Sequence, residues 1–306
     1  MPGAAEIRAR IAGVSETKKV TDAMYMIASA KLRRARRGVE ETKPYFRALK
    51  EQIADLFHYM PDTDNRYFRT PAPEGAHRTR GVLLITSDRG LAGSYNQAVL
   101  ALAEEYLSRH AQTVLFIVGA VGRRFFDGRG LPYEKDFIYP AGLPGVWEAR
   151  RICTELLSRY DRGELDEIHV IYTDYHAGRP SECKRNCLLP LERSRFYTPD
   201  RAGPREKEFY PGPDAVLSGI VPSYLTGFIY GCLVDSYCSE QEARMTAMHT
   251  AGENAQRMLT ELQMQYHRLR QAAITREITE VTAGARALAA LRRAREEEEN
   301  HAKQNG

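Results

Sequence analysis

The 306 residues carry 44 Lys and Arg against 40 Asp and Glu, a net charge of +4, with 43% hydrophobic and 27% charged residues and a single Trp. That is enough apolar material for one large or two modest cores, and the mild charge gives no ground for nucleic-acid binding by itself. Five cysteines, an odd number scattered along the chain, argue against a disulfide framework. No apolar run is read as reaching the roughly 20 residues of a membrane span, and the N-terminus lacks a signal-peptide core.

The first element is a long helix from Glu6 to about Met60. Stepping 4-3-4-3 from Ile7 visits Ile11, Val14, Lys18, Thr21, Tyr25, Ala28, Leu32, Ala35, Val39, Thr42, Phe46, Leu49, Ile53 and Leu56, and twelve of these fifteen positions are apolar or aromatic. That register is a coiled-coil seam. Lys18, Thr21 and Thr42 mark places where it loosens or meets something polar, and Pro44 predicts a kink or break near Glu41 to Lys43.

Asp62 to Arg80, rich in Pro, Asp, Thr and Arg, reads as a linker. An α/β region follows: strands at Gly81 to Thr86, Thr113 to Val118 and Glu167 to Thr173, helices at Gln97 to His110, Ala120 to Asp127 and Trp147 to Tyr160, and an edge strand at Leu188 to Leu191. Strands alternating with helices predict a mostly parallel, Rossmann-like open sheet. Arg195 to Pro213 reads as a loop, and Pro222 as a bend on the way into the last element.

That element reads as one very long helix from Pro222 to the acidic run ending at Glu299. Met245, Met248, Gly252, Ala255, Leu259, Leu262, Tyr266, Leu269 and Ala273 keep 3-4 spacing, and the next two positions would be Arg276 and Glu280. The seam therefore stops at Ala273. Antiparallel pairing with the first helix, Met245 to Ala273 beside Ile7 to Ala35, leaves the C-terminal helix projecting past the start of its mate. The acidic run Glu296 to Glu299 opposes the helix macrodipole and predicts a frayed end. The expected fold class is α/β: a long antiparallel coiled coil of the terminal helices (1–60 and 213–306) plus a central Rossmann-like open α/β domain (81–195).

Three stretches are candidates for chemistry. Ser87-Asp88-Arg89-Gly90-Leu91-Ala92-Gly93-Ser94-Tyr95-Asn96 follows the first strand, where an α/β fold places nucleotides. It has Gly90-x-x-Gly93 but neither G-x-G-x-x-G nor a P-loop, so a tight polar loop held by Asp88 and Arg89 is favoured. Lys31-Leu32-Arg33-Arg34-Ala35-Arg36-Arg37 sets five cations on one helix. A solvated face, nucleic-acid binding and docking on an acidic protein surface all remain open for it. Cys183-x-x-x-Cys187 has no second Cys or His pair at zinc spacing. No Ser/His/Asp, Cys/His or paired-carboxylate arrangement is legible.

Glu6-Ile7-Arg8, Thr17-Lys18-Lys19-Val20-Thr21, Ala23-Met24 and Ala30-Lys31-Leu32-Arg33 resemble the N-terminal helix of the gamma subunits of F-type rotary ATP synthases. Ile85-Thr86-Ser87-Asp88-Arg89-Gly90-Leu91 with Gly93 is similar to the central-domain signature of that family. Ser239-Glu240-Gln241-Glu242-Ala243-Arg244-Met245 and Arg270-Gln271-Ala272-Ala273-Ile274-Thr275-Arg276-Glu277-Ile278-Thr279-Glu280 resemble its C-terminal helix.

The resemblance implies a non-catalytic central rotor shaft without a cofactor or metal. Its partners would be the alpha and beta catalytic subunits, the epsilon subunit and the c-subunit ring, with no nucleic acid and no direct membrane insertion. The place would be the cytoplasmic face of the cell membrane. It implies contact with the catalytic hexamer at Met24, Lys31, Arg33, Arg34, Arg36, Arg37, Arg244, Gln271, Thr275, Glu277 and Glu280, and a signature loop built on Ser87, Asp88, Arg89, Gly90 and Gly93. Asp22, Tyr25, Ala92, Ser94 and Arg276 depart from the family pattern, and about eighteen residues follow Leu288 where the family usually ends. The cysteines lie outside the inserted loop that carries a redox switch in chloroplast relatives. The alternative function is a free-standing coiled-coil scaffold that binds nucleic acid or protein through the basic helix.

Overall fold

The computed structural model describes residues 3–59, 65–68, 78–192, 196 and 209–304, with the side chains of 58–59 and 294–304 left aside. The elements are α1 (Ala4–Tyr59), β1 (Arg80–Ile85), α2 (Tyr95–Arg109), β2 (Thr113–Val118), α3 (Ala120–Arg129), α4 (Val146–Asp161), β3 (Glu167–Asp174), β4 (Glu182–Leu189) and α5 (Pro213–Gln304). Most of the linker expected at 62–80 and of the loop expected at 195–213 lies outside the described residues. The chain divides into two compact units, Met1–Ala23 with His249–Gly306, and Met24–Met248. The divisions fall inside both long helices.

In the 24–248 unit the sheet runs β2-β1-β3-β4. β1 pairs in parallel with β2 and β3, and β4 closes the edge antiparallel to β3. Alternation sends Val82, Leu84, Leu115, Ile117 and Ile171 to one face, under Val99, Leu100 and Ala103 of α2 and Phe126 of α3. The opposite face buries Leu83, Ile85, Phe116, Val118, Ile168 and Val170 against Ile152 and Leu156 of α4 and Leu217, Val221, Leu225 and Ile229 of α5. Ile53 and Leu56 of α1 join that layer and are fully buried.

Several expectations change. The edge strand begins at Glu182, six residues before Leu188, because its outer half alternates charged and polar residues and only Leu188 and Leu189 are buried. α5 starts at Pro213, a residue suited to the first helical turn, and continues through Pro222 without a break. α1 likewise continues through Pro44. Two residues further on, the Phe46 ring packs directly on Gly227, where an added Cβ would meet it at 1.9 Å. Tertiary packing of this kind holds a proline-containing turn in line against its local cost. The C-terminal end stays helical to Gln304, past the acidic run where fraying was expected, in a stretch of Ala, Leu, Arg and Glu with strong helix propensity.

Contrary to expectation, one stretch of α5 is as apolar as a membrane span. Ala215 to Val234 contains no charged residue, and an 18-residue window in this helix reaches a mean hydropathy of 1.5, long and apolar enough to cross a membrane by composition. Half of that window is buried inside the protein, where Leu217, Val221, Leu225, Ile229 and Leu233 belong to the core beneath the sheet.

In the other unit the terminal helices lie antiparallel. The Arg8 guanidinium donates to the Tyr266 hydroxyl at 2.5 Å and its Cζ lies 5.4 Å from the ring centroid. One end further on, a Cβ at Gly252 would lie 3.1 Å from Asp22 Oδ1 and 3.5 Å from Thr21 Oγ1. Both pairs fit one register, about six residues offset from the end-to-end matching of apolar stripes. The stripes are interchangeable along their length, whereas Gly252 is the position small enough to admit the polar Thr21–Asp22 step. Thr21 is buried, its hydroxyl donating to Lys18 O at 2.8 Å, and Lys18 pairs with Asp22 at 2.7 Å.

Candidate functional site

In this register Ala4 of α1 lies near the level of residue 270 of α5, so 271–304 run on without a mate among the described residues. At 1.5 Å per residue that is about 50 Å of helix. Every residue from 271 to 293 is exposed. Gln271, Thr275, Glu277 and Glu280 therefore share an open stretch, with the Thr275 hydroxyl turned back onto Gln271 O at 2.9 Å. The same stretch carries Ile274, Ile278, Val281, Leu288 and Leu291, all exposed and Val281 at 72%. With Ala285 the first four repeat at 4-3-4-3. The apolar seam thus does not end at Ala273: it resumes one position round the helix at Ile274. The sequence carries it as a second register that begins at Ile274.

Within the 24–248 unit the basic segment of α1 keeps Leu32 and Ala35 in the core and Lys31, Arg33, Arg34, Arg36 and Arg37 exposed. Arg33 Nη1 donates to Ser29 Oγ at 2.8 Å. The Arg36 charge acts on Tyr175 and on Glu242 of α5, and the Lys31 charge on Glu240. Met24 is half-buried.

The signature loop is a brace. Asp88 accepts from the N–H of Ala120 at the start of α3 through Oδ1 (3.1 Å) and from Ala141 N through Oδ2 (2.9 Å). Ser87 N donates to Asn96 Oδ1 at 3.0 Å, Ser87 Oγ donates to Arg89 O at 2.8 Å, and Asn96 Nδ2 donates back to Ser87 Oγ at 2.7 Å. A polar loop held by Asp88 and Arg89 is the expectation. Arg89 contributes its carbonyl, and the left-handed conformation falls on Leu91 (φ 66°) and Gly93 (φ 53°) while Gly90 supplies a hydrogen-bond acceptor.

The group reaching that acceptor is Arg244. It is buried, donates from Nη1 to Gly90 O at 2.8 Å and from Nη2 toward Arg89 O at 3.5 Å, and forms an ion pair with Glu240 one helical turn back. Burial pushes the Glu240 carboxyl up while Arg244 pulls it down. Arg244 is thus turned inward onto the loop, apart from the exposed residues grouped with it by resemblance. Glu240 was missed, although its i,i+4 spacing to Arg244 is the signal of such a pair.

A half-buried carboxylate also escaped the sequence. Asp235 on α5 is pushed up to about 7, first by burial and then by Asp174, with Lys184 and Lys43 opposing. Asp174 itself pairs with Lys184 and lies 3.1 Å from His176. A carboxyl raised in the folded state costs stability as pH climbs from the ordinary Asp range to the folded value. Asp235→Asn is therefore expected to stabilise the protein progressively between about pH 4 and 7, levelling above that, with a ceiling of about 4 kcal/mol. Urea unfolding across pH checks this; an equal effect at pH 4 and pH 8 would refute it.

None of the five cysteines is in a disulfide. Cys183 and Cys187 point to the same face of β4, opposite Thr173 and His169. Four residues along a strand separate them by about 13 Å, beyond the span of a disulfide. Among the described residues no group of His, Cys, Asp and Glu could hold a metal ion.

An antiparallel pair of terminal helices, one overhanging the other, with an α/β unit inserted between them in sequence defines a coiled-coil class of protein. Residues 3–288 match the family model described as ATP synthase. The ATP synthase gamma chain of Caldicellulosiruptor saccharolyticus is 36% identical over 285 residues, covering 92% of this chain and 97% of that one. That of Ruminiclostridium cellulolyticum is 34% identical, covering 92% and 98%. The sodium ion specific ATP synthase gamma chain of Acetobacterium woodii is 32% identical with the same coverage. The chain belongs to the ATP synthase gamma-chain family. Its fold is shared with a chain of the Euglena gracilis mitochondrial ATP synthase OSCP/F1/c-ring structure (TM-score 0.62, 14% identity, 94% of this chain and 95% of that one). A chain of the Tetrahymena thermophila mitochondrial ATP synthase central stalk/c-ring also shares it (TM-score 0.58, 22% identity, 76% and 99%).

Proposed function

We propose that this chain is the central rotor shaft of an F-type ATP synthase, coupling ion flow through a c-subunit ring to ATP synthesis or hydrolysis in a hexamer of alpha and beta subunits. The observation that carries the reading beyond family membership is the unmated end of α5, exposed over 271–293 with an apolar stripe along one side and Gln271, Thr275, Glu277 and Glu280 on the rest. A helix of this length bearing an open apolar face requires a socket. The hexamer supplies one, and the polar residues of the same stretch meet its loops as the shaft turns. Lys31, Arg33, Arg34, Arg36 and Arg37, with Met24 below them, face acidic loops of the beta subunits.

Residues 1–60 and 213–306 form the two helices of the shaft, and 81–195 the α/β domain that sits against epsilon and the ring at the cytoplasmic face of the membrane. Chemistry belongs to the partners, and this chain carries torque without a cofactor of its own. Arg244 acts from inside, through the signature loop at Arg89 and Gly90 with Ser87, Asp88 and Gly93 bracing it.

Affinity purification of the tagged chain from its own cells is expected to recover alpha, beta and epsilon subunits in an assembly with ATPase activity. A chain that stays alone and holds DNA in a salt-sensitive way would replace the rotor with a scaffold. Residues beyond 288 fall outside the family match, so deleting Arg292 to Gly306 is expected to leave hydrolysis by the assembly within about twofold. Loss of assembly on that truncation would give the extension a structural role.

A further inference from the structure

At the start of β1 and β3, on the face covered by α2, the charges do not balance. Glu167 is the one carboxylate paired there among the described residues, and both its oxygens are taken: Arg78 Nη1 binds Oε1, and Arg80 Nε (3.2 Å) and His169 Nε2 (3.1 Å) bind Oε2. A third guanidinium, Arg185 of β4, lies with its Cζ 4.9 Å from the centroid of the Tyr106 ring. The Tyr106 ring in turn lies tilted against His169 and His110, with centroids 5.5 and 4.4 Å apart. Three fixed positive charges thus share one negative charge in a half-buried corner. Burial, reinforced by Arg80 and Arg185, holds both His169 and His110 below the ordinary histidine range.

The same corner concentrates unused hydrogen-bonding capacity. Arg78 Nε, His169 Nδ1 and the Tyr106 hydroxyl are buried without a well-formed hydrogen bond, three of the five such side-chain atoms among the described residues, and the Arg185 guanidinium beside the Tyr106 oxygen leaves its O–H free to donate. His169 and Tyr106 are each more than nine-tenths buried. Buried polar atoms are nearly always paired, and a cluster of orphans calls for a ligand or ordered water. Surplus guanidinium charge selects between the two, because a planar fork of N–H donors matches an oxyanion.

We propose that this corner is a binding site for a phosphate-type oxyanion, with Arg185 as its exposed wall and the Tyr106 hydroxyl as an inner donor. The bound charge offsets the cationic surplus that Glu167 leaves. Inorganic phosphate and the phosphate of a lipid headgroup present the same chemistry.

Calorimetric titration of the full chain with sodium phosphate, at an ionic strength fixed with chloride, is expected to give saturable binding at one site. Arg185→Ala and Tyr106→Phe are each expected to weaken it at least fivefold. Arg185 is exposed and Phe keeps the buried ring, so both variants should retain the wild-type circular dichroism. Co-sedimentation with phosphatidylglycerol–phosphatidylcholine vesicles identifies the source. Vesicle binding lost in Arg185→Ala but not displaced by millimolar phosphate assigns the site to a headgroup, and displacement assigns it to free phosphate. The proposal is overturned if neither ligand binds above the chloride control, or if both variants bind as wild type does.

Discussion

Arg244→Ala is expected to destabilise the 24–248 unit by about 3–5 kcal/mol, the cost of stranding one member of a buried ion pair. Three things are lost together: the neutralising partner of Glu240, the donor to Gly90 O and the donor toward Arg89 O. Arg244→Lys keeps the charge but cannot serve a carboxylate and two carbonyls from one planar fork, so it should recover only part of the loss. Adding Glu240→Gln to Arg244→Ala removes the stranded charge. The double variant should therefore be more stable than the single one, which a urea unfolding series on the four proteins measures. If Arg244→Ala unfolds at the wild-type urea midpoint, the clamp contributes nothing and the loop is held by Asp88 and Ser87 alone. In the assembled enzyme the same variant should slow coupled turnover more than it weakens assembly, because the loop it fixes would shift while the exposed contacts remain.

Gly227→Ala is expected to be as damaging, for a steric reason. The new methyl would sit 1.9 Å from Phe46 Cδ1, with two further ring atoms at 2.4 Å. No small adjustment of the ring relieves three contacts at once, so α1 and α5 must separate locally. Overpacking typically costs about 1–3 kcal/mol, and this case belongs at or above the top of that range. The second-site test is Phe46→Leu, which removes the ring and should restore most of the stability in the double variant while costing about 1 kcal/mol alone. Independent, additive losses in a thermal unfolding comparison would show that the two residues do not meet.

How much of this could be read from the residues depends on whether the signal was periodic. The seam positions of α1 from Ile7 to Leu56 are buried or half-buried except Tyr25, and those of α5 are so from Met245 to Leu269. β2 was bounded to the residue and the other parallel strands to within one. What escaped was aperiodic. β4 hides because Glu182 to Asn186 look like a loop until an edge strand is considered, and Pro44 and Pro222 read as breaks because their local cost is visible while the packing that overrides it is not. The register of the terminal helices turned on one glycine. Of the residues that the resemblance assigns to the site, the exposed ones are named by motif alone, whereas the inward use of Arg244 depends on a loop 154 residues away in sequence. Glu240, Asp235 and the Glu167 cluster depend on strand and helix neighbours that no spacing announces.

The apolar face from Ile274 to Leu291 has a meaning for the life of the chain before it joins anything. Five bulky side chains lie open on one side of an unpaired helix, an arrangement that attracts other apolar surface from solution. Newly made copies present in excess of their binding partners would associate through these ends. Balanced production of the subunits then protects solubility as much as it sets stoichiometry, and a preparation of the chain alone should grow more monodisperse when Ile278 and Val281 are replaced by glutamine.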